Sequence, residues 1–141
     1  MKVGNVDIPL YYSTFAAQQL NDLCGGIKNI KSLISTEGDD GYINTLNGVA
    51  KLATILANGE VGRYNRALAL GIESGEKKDK YTEEDFIELL DAGKLTVYIR
   101  EIFEVMGLAS KFIVPEGVNL KEPDIDLDEI EEIKNPSGTQ S

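Results

Sequence analysis

Apolar residues recur at intervals of three and four through most of this chain, the period of an amphipathic helix and not of a strand. Tyr42, Leu46, Val49, Ala53 and Leu56 form one stripe, and the following Asn58-Gly59 reads as its stop. A further helical stretch spans about 61 to 70, with Tyr64, Ala67 and Leu68 on one side and Arg63 and Arg66 as its basic pair. Leu95, Tyr98, Ile99, Ile102, Phe103 and Met106 make a broad apolar face that Gly107 ends. Three shorter pieces complete the pattern. Ser13 or Thr14 caps a first helix carrying Phe15, Ala16, Leu20 and Leu23, and Gly25-Gly26 stops it. Ile27, Ile30, Leu33 and Ile34 give a second, shorter apolar face. Thr82 opens another helix by accepting the backbone N–H of Asp85, with Glu83 and Glu84 at the positive end of the helix dipole. Its apolar side is Phe86, Ile87, Leu89 and Leu90, and Gly93 closes it.

The remaining segments lack this period. Val3, Val6 and Ile8 around Gly4-Asn5 predict a short extended arm or hairpin, ended by Pro9. Thr36 to Gly41 and Gly71 to Lys80 read as polar loops, and Ala109 to Val114 as a short apolar piece that packs back on the core. After Pro115 the composition changes. Residues 116–141 hold eight acids (Glu116, Glu122, Asp124, Asp126, Asp128, Glu129, Glu131 and Glu132) against Lys121 and Lys134, with no aromatic residue. Such a segment buries too little apolar surface to offset the entropy of ordering it, which predicts a flexible acidic tail. The expectation is an all-α, mainly helical fold. It is a compact bundle of about five to six short helices over residues 1–115, with the N-terminal arm or hairpin in front and the tail behind.

Charge narrows the function. Fourteen Lys and Arg face twenty-four Asp and Glu, a net of −10 over 141 residues. Nucleic acid and anionic membrane surfaces both demand a basic face, so neither is an expected partner. No apolar run reaches the length of a membrane span or a signal peptide, which places the expected location in a cytoplasm.

The usual carriers of chemistry are few. The chain has no histidine, which removes Ser-His-Asp and Cys-His nucleophiles and the commonest metal ligand. Cys24, the single cysteine, sits at a helix end beside Leu23 and reads as a buried structural thiol. No phosphate-cradling glycine motif follows a strand. Asp124, Asp126 and Asp128 suggest a calcium loop, but the sixth and twelfth positions hold Glu129 and Asn135 where such a loop needs Gly and Glu. Glu83, Glu84, Asp85, Glu88 and Asp91 cluster at one helix start and on its polar face, not across a pocket as paired glycosidase carboxyls are. No catalytic, cofactor or metal site is expected, and the chain is read as a non-enzyme. What remains are side chains suited to protein contacts. Tyr11, Tyr12, Tyr42 and Tyr64 can anchor an interface or fill helix seams. Val97 and Val105 lie eight residues apart, off the main face of the last helix.

The stretches Ile8-Pro9-Leu10-Tyr11-Tyr12-Ser13-Thr14 and Tyr81-Thr82-Glu83-Glu84-Asp85-Phe86-Ile87-Glu88-Leu89-Leu90-Asp91 bracket several short helices and lead to a closing amphipathic one. Over residues 1 to 113 this order resembles the tail assembly chaperones of long-tailed bacteriophages. The resemblance implies an all-helical fold in the bacterial host cytoplasm, without catalysis or cofactor, and absent from the finished particle. It implies binding to the tape measure protein, whose long apolar helices need coating until the tail tube grows around them. The tail tube protein is a further implied partner, and self-association of the free protein is an expected property. A generic small helical adaptor or regulatory module is the alternative reading of the same residues.

Overall fold

The computed structural model of the chain describes residues 1–34 and 40–107. Its first element is a two-stranded antiparallel hairpin, β1 (Lys2–Val3) and β2 (Val6–Asp7), paired Lys2 with Asp7 and Val3 with Val6. Gly4 turns it with φ +63°, a conformation that L side chains rarely adopt. Helix α1 (Thr14–Cys24) follows, capped by the Ser13 hydroxyl, which accepts from the Ala16 N–H, and closed by left-handed Gly25. A 3₁₀ segment, Ile27–Leu33, comes next. Then α2 (Gly41–Ala69) runs for 29 residues, α3 (Glu83–Leu89) packs beside it, and a 3₁₀ turn at Ala92–Lys94 leads into α4 (Leu95–Val105). The described fold is thus mainly α with an N-terminal hairpin.

Helix α2 is the spine. Its Val49, Leu52 and Leu56 meet Ala16 and Leu20 of α1, Ile30 and Ile34 of the 3₁₀ region, and all six apolar residues named above for α4. Its alanines 50, 53 and 57 form a low surface that admits Phe86 of α3 together with Val3 and Ile8 of the arm. Small residues here let flanking segments come close, while the larger ones on the other side fill the main core.

Three expectations need correction. Asn58-Gly59 does not end a helix, and the stretches around Leu46 and Tyr64 are one helix. Gly59 is instead a notch: a Cβ there would lie 2.1 Å from the Tyr11 carbonyl oxygen, where the arm crosses α2. The Tyr11 N–H donates to the Leu56 carbonyl at the same crossing, 3.0 Å away. Second, α3 stops at Leu89, before Gly93, because Leu90 turns extended and Asp91 is held by two bonds. Its N–H donates to the Tyr98 hydroxyl and its carboxylate accepts from the Gly93 N–H. Third, several residues assigned to apolar stripes face outward. Tyr42, Phe15, Leu23, Ile87 and Leu89 are all exposed, and the closely packed positions of α1 and α3 are Ala16, Leu20 and Phe86. The tail and the 109–114 piece lie outside the described residues, as do residues 36–39 of the loop that starts at Thr36.

Candidate protein-binding surface

The six sequence-derived candidates do not converge on one face. Tyr12 and Val105 are half-buried and pack against the main core. Tyr64 is half-buried as well: its hydroxyl donates to the Ser74 carbonyl, and the Lys78 ammonium lies 4.4 Å from its ring centre. Val97 lines a groove of about 440 Å³ between the hairpin turn and the start of α4, with Lys2, Gly4 and Lys94. Tyr11 and Tyr42 are the two that stand open, at 45% and 49% exposure. The Tyr11 ring is flanked by the Arg63 guanidinium at 6.0 Å. Tyr42 donates its hydroxyl proton to the Ala92 carbonyl, which joins the start of α2 to the turn before α4. Cys24 is half-buried, and its thiol donates to the Gly26 carbonyl at 3.3 Å.

Further large apolar residues near the two ends of the Tyr42–Ala92 bond in the sequence are also exposed. Ile43 adjoins Tyr42 and is 55% exposed; Leu89, three residues before Ala92, is 49% exposed, and nearby Ile87 52%. A second outward-facing apolar pair, Leu70 and Ile72, follows the far end of α2. Of these residues, Ile43 and Ile72 lie off every apolar face read from the sequence; Tyr42, Ile87 and Leu89 belong to such faces, and their period alone does not show that they point outward.

A polar seam runs along α2 between these ends. Lys51, Asn58 and Asn65 are spaced by seven, which places them on one face. Each grips the segment that returns from α2 to α3. Asn65 exchanges two hydrogen bonds with the backbone of Lys78, and Asn58 two with the backbone of Tyr81. The Lys51 ammonium pairs with Glu83 at 2.8 Å. Residues 71–82 therefore form a strap that runs antiparallel to the helix and is held to it at Lys78 and Tyr81, not a free polar loop. Glu60 holds Arg63 through two contacts of 2.7 Å, and Arg63 reaches Glu73 at the strap's beginning at 3.8 Å. The bond to Arg63 draws the Glu60 carboxyl below its ordinary range against the opposing effect of partial burial; the charges of Arg63 and Lys78 add to the lowering.

Between the last turns of α2 and the strap lies an open groove of about 500 Å³, lined by Asn65, Arg66, Leu68, Ala69, Lys77 and Lys80. The Lys80 ammonium also sits 5.0 Å from the ring centre of Phe15 on α1. Among the described residues no three His, Cys, Asp or Glu side chains converge as a metal site would require, and no helix is long and apolar enough to cross a membrane. No family model, no curated protein and no solved structure matches this chain.

Proposed function

We propose that this chain is a phage tail assembly chaperone that binds apolar helical segments of the tape measure protein and keeps them soluble in the cytoplasm of the infected bacterium. The observation that carries the reading is the set of large apolar side chains left exposed outside the core, among them Tyr42 and Ile43 at the start of α2 and Ile87 and Leu89 on α3. Exposed apolar side chains of this size suit contact with the apolar face of a partner helix. The net charge of −10 supports the same role, because it keeps a complex dispersed once the apolar faces are covered. Burial of apolar surface drives such binding, so association carries a negative heat-capacity change and only a modest dependence on salt.

The test is to express the tape measure protein alone and together with this chain, then compare soluble fractions and gel-filtration profiles. Coexpression is expected to raise the soluble fraction and give a complex. The variant Ile43→Ser/Leu89→Ser is expected to weaken that complex by about 1–2 kcal/mol per anchor. Its own melting should shift little, since exposed positions change stability by about 0.5 kcal/mol or less. If solubility is unchanged and no complex survives gel filtration, the generic adaptor is the better account.

A further inference from the structure

We propose that the groove between α2 and the strap is a docking site for this chain's own acidic segment, Asp124-Ile125-Asp126-Leu127-Asp128-Glu129-Ile130-Glu131-Glu132-Ile133. The inference is independent of the chaperone reading. Three cations, Arg66, Lys77 and Lys80, line the groove, and no acid does. Glu76 and Asp79 belong to the strap but are absent from that lining. In a chain of net −10 this is a local reversal of sign. The lining also includes Leu68 and Ala69, and the adjoining Leu70 and Ile72 are 65% and 73% exposed, the two most exposed large apolar residues among those described. A ligand for this surface needs carboxylates interleaved with aliphatic side chains. Residues 124–133 supply that composition: six acids alternate or group with Ile125, Leu127, Ile130 and Ile133.

Reach and concentration favour the chain's own segment over a separate partner. Sixteen residues, 108–123, separate the end of the described fold from Asp124, and such a length can span about 55 Å. Helix α2, at 29 residues, is about 44 Å long, so the groove is accessible from any point along it. A tether of this kind presents its end at an effective concentration in the millimolar range, well above what a free acidic peptide attains. Because the pairs are exposed, each contributes little and salt weakens all of them. Docking is therefore reversible, a removable cover and not part of the core.

The test uses the full chain in the Cys24→Ser background, with a nitroxide attached through Ser137→Cys and amide spectra recorded before and after reduction of the label. The expected result is selective loss of the amide peaks of Asn65, Arg66 and residues 77–80. The loss should vanish at about 1 M salt, where screening acts within about 3 Å. It should vanish in Lys77→Glu/Lys80→Glu and return when Asp126→Lys/Asp128→Lys is added. Peaks of α4 report in the same spectra whether the reversed variant is folded; if it is not, Lys77→Gln/Lys80→Gln serves and should reduce the broadening. Three results overturn the proposal: no selective loss, a loss indifferent to both charge changes, or a loss that appears when spin-labelled chains are mixed with isotope-labelled chains carrying no label, which would place the contact between molecules.

Discussion

Three glycines inside α2 have different meanings, and substitution by alanine separates them. At Gly48 a Cβ would fall 1.7 Å from the Leu33 carbonyl oxygen, and at Gly59 2.1 Å from that of Tyr11. Both neighbours are backbone, so no rotamer change relieves the overlap. At Gly62 nothing lies within 4 Å. Alanine is favoured over glycine in a helix interior by about 1 kcal/mol. Gly62→Ala is therefore expected to stabilise the protein by about 0.5–1 kcal/mol. Gly48→Ala and Gly59→Ala are expected to destabilise it by about 1–3 kcal/mol or more, the overlap outweighing the propensity gain. Urea melts of the three variants check both signs. Gly59 also explains why the sequence suggests a boundary where the helix continues. Asn58-Gly59 has the composition of a helix end, and only the arm crossing above Gly59 shows why the dipeptide stands in mid-helix.

At the scale of elements, the fit between strap and helix is a matching of two rises. From Asn65 back to Asn58 the helix advances about 10 Å. From Lys78 to Tyr81 an extended chain covers about 10 Å. Two asparagines seven apart can thus hold two strap residues three apart, each through paired backbone bonds. Asn58→Ala strips both partners from a half-buried junction and should cost about 1–3 kcal/mol. Asn65→Ala, at an exposed junction, should cost less. Hydrogen exchange adds a local readout: the Tyr81 amide, which donates to Asn58, should exchange faster in the first variant and the Lys78 amide in the second. Glu60 gives a pH-dependent counterpart. Its carboxyl is lowered in the folded state, foremost by its bond to Arg63, so the unfolded chain binds the proton more readily. The stabilisation is present above the unfolded carboxylate value of about 4.3 and is lost as pH falls through the lower folded value. Glu60→Gln should accordingly differ most from the parent near neutrality, and the gap should close in acid melts. The seven-residue recurrence of Lys51, Asn58 and Asn65 was legible in the sequence. Its partner was not, because an extended polar segment has no period to announce what it lies against.

For the molecule as a whole, legibility followed burial. All six apolar positions read for the last helix are buried, because a stripe that wide has one place to go. The hairpin turn, the Ser13 cap and the Thr82–Asp85 capping box also stand where local chemistry put them. The short helices were harder. In α1 and α3 the residues that enter the core include small Ala16 and a single aromatic, Phe86, while larger neighbours stay out. Period alone cannot say which edge of a stripe faces inward in a helix of only two or three turns. Tyr42, Ile87 and Leu89 belong both to the apolar faces read from the sequence and to the candidate interface, so at these three positions the same apolar side chain that suggests a core residue serves the surface.

The strap has one more consequence. Residues 71–80 are exposed throughout, and the pieces they join, the arm with α1 and α2 on one side and α3 with α4 on the other, meet through α2 itself. The covalent link near Ser74 therefore supplies proximity and little else. A chain divided there would keep its buried surfaces and the grips of Asn58 and Asn65, and would trade an intramolecular encounter for a bimolecular one. Such a cut leaves α2 with one piece and the apolar faces of α3 and α4 with the other, so the two pieces are expected to find each other when mixed.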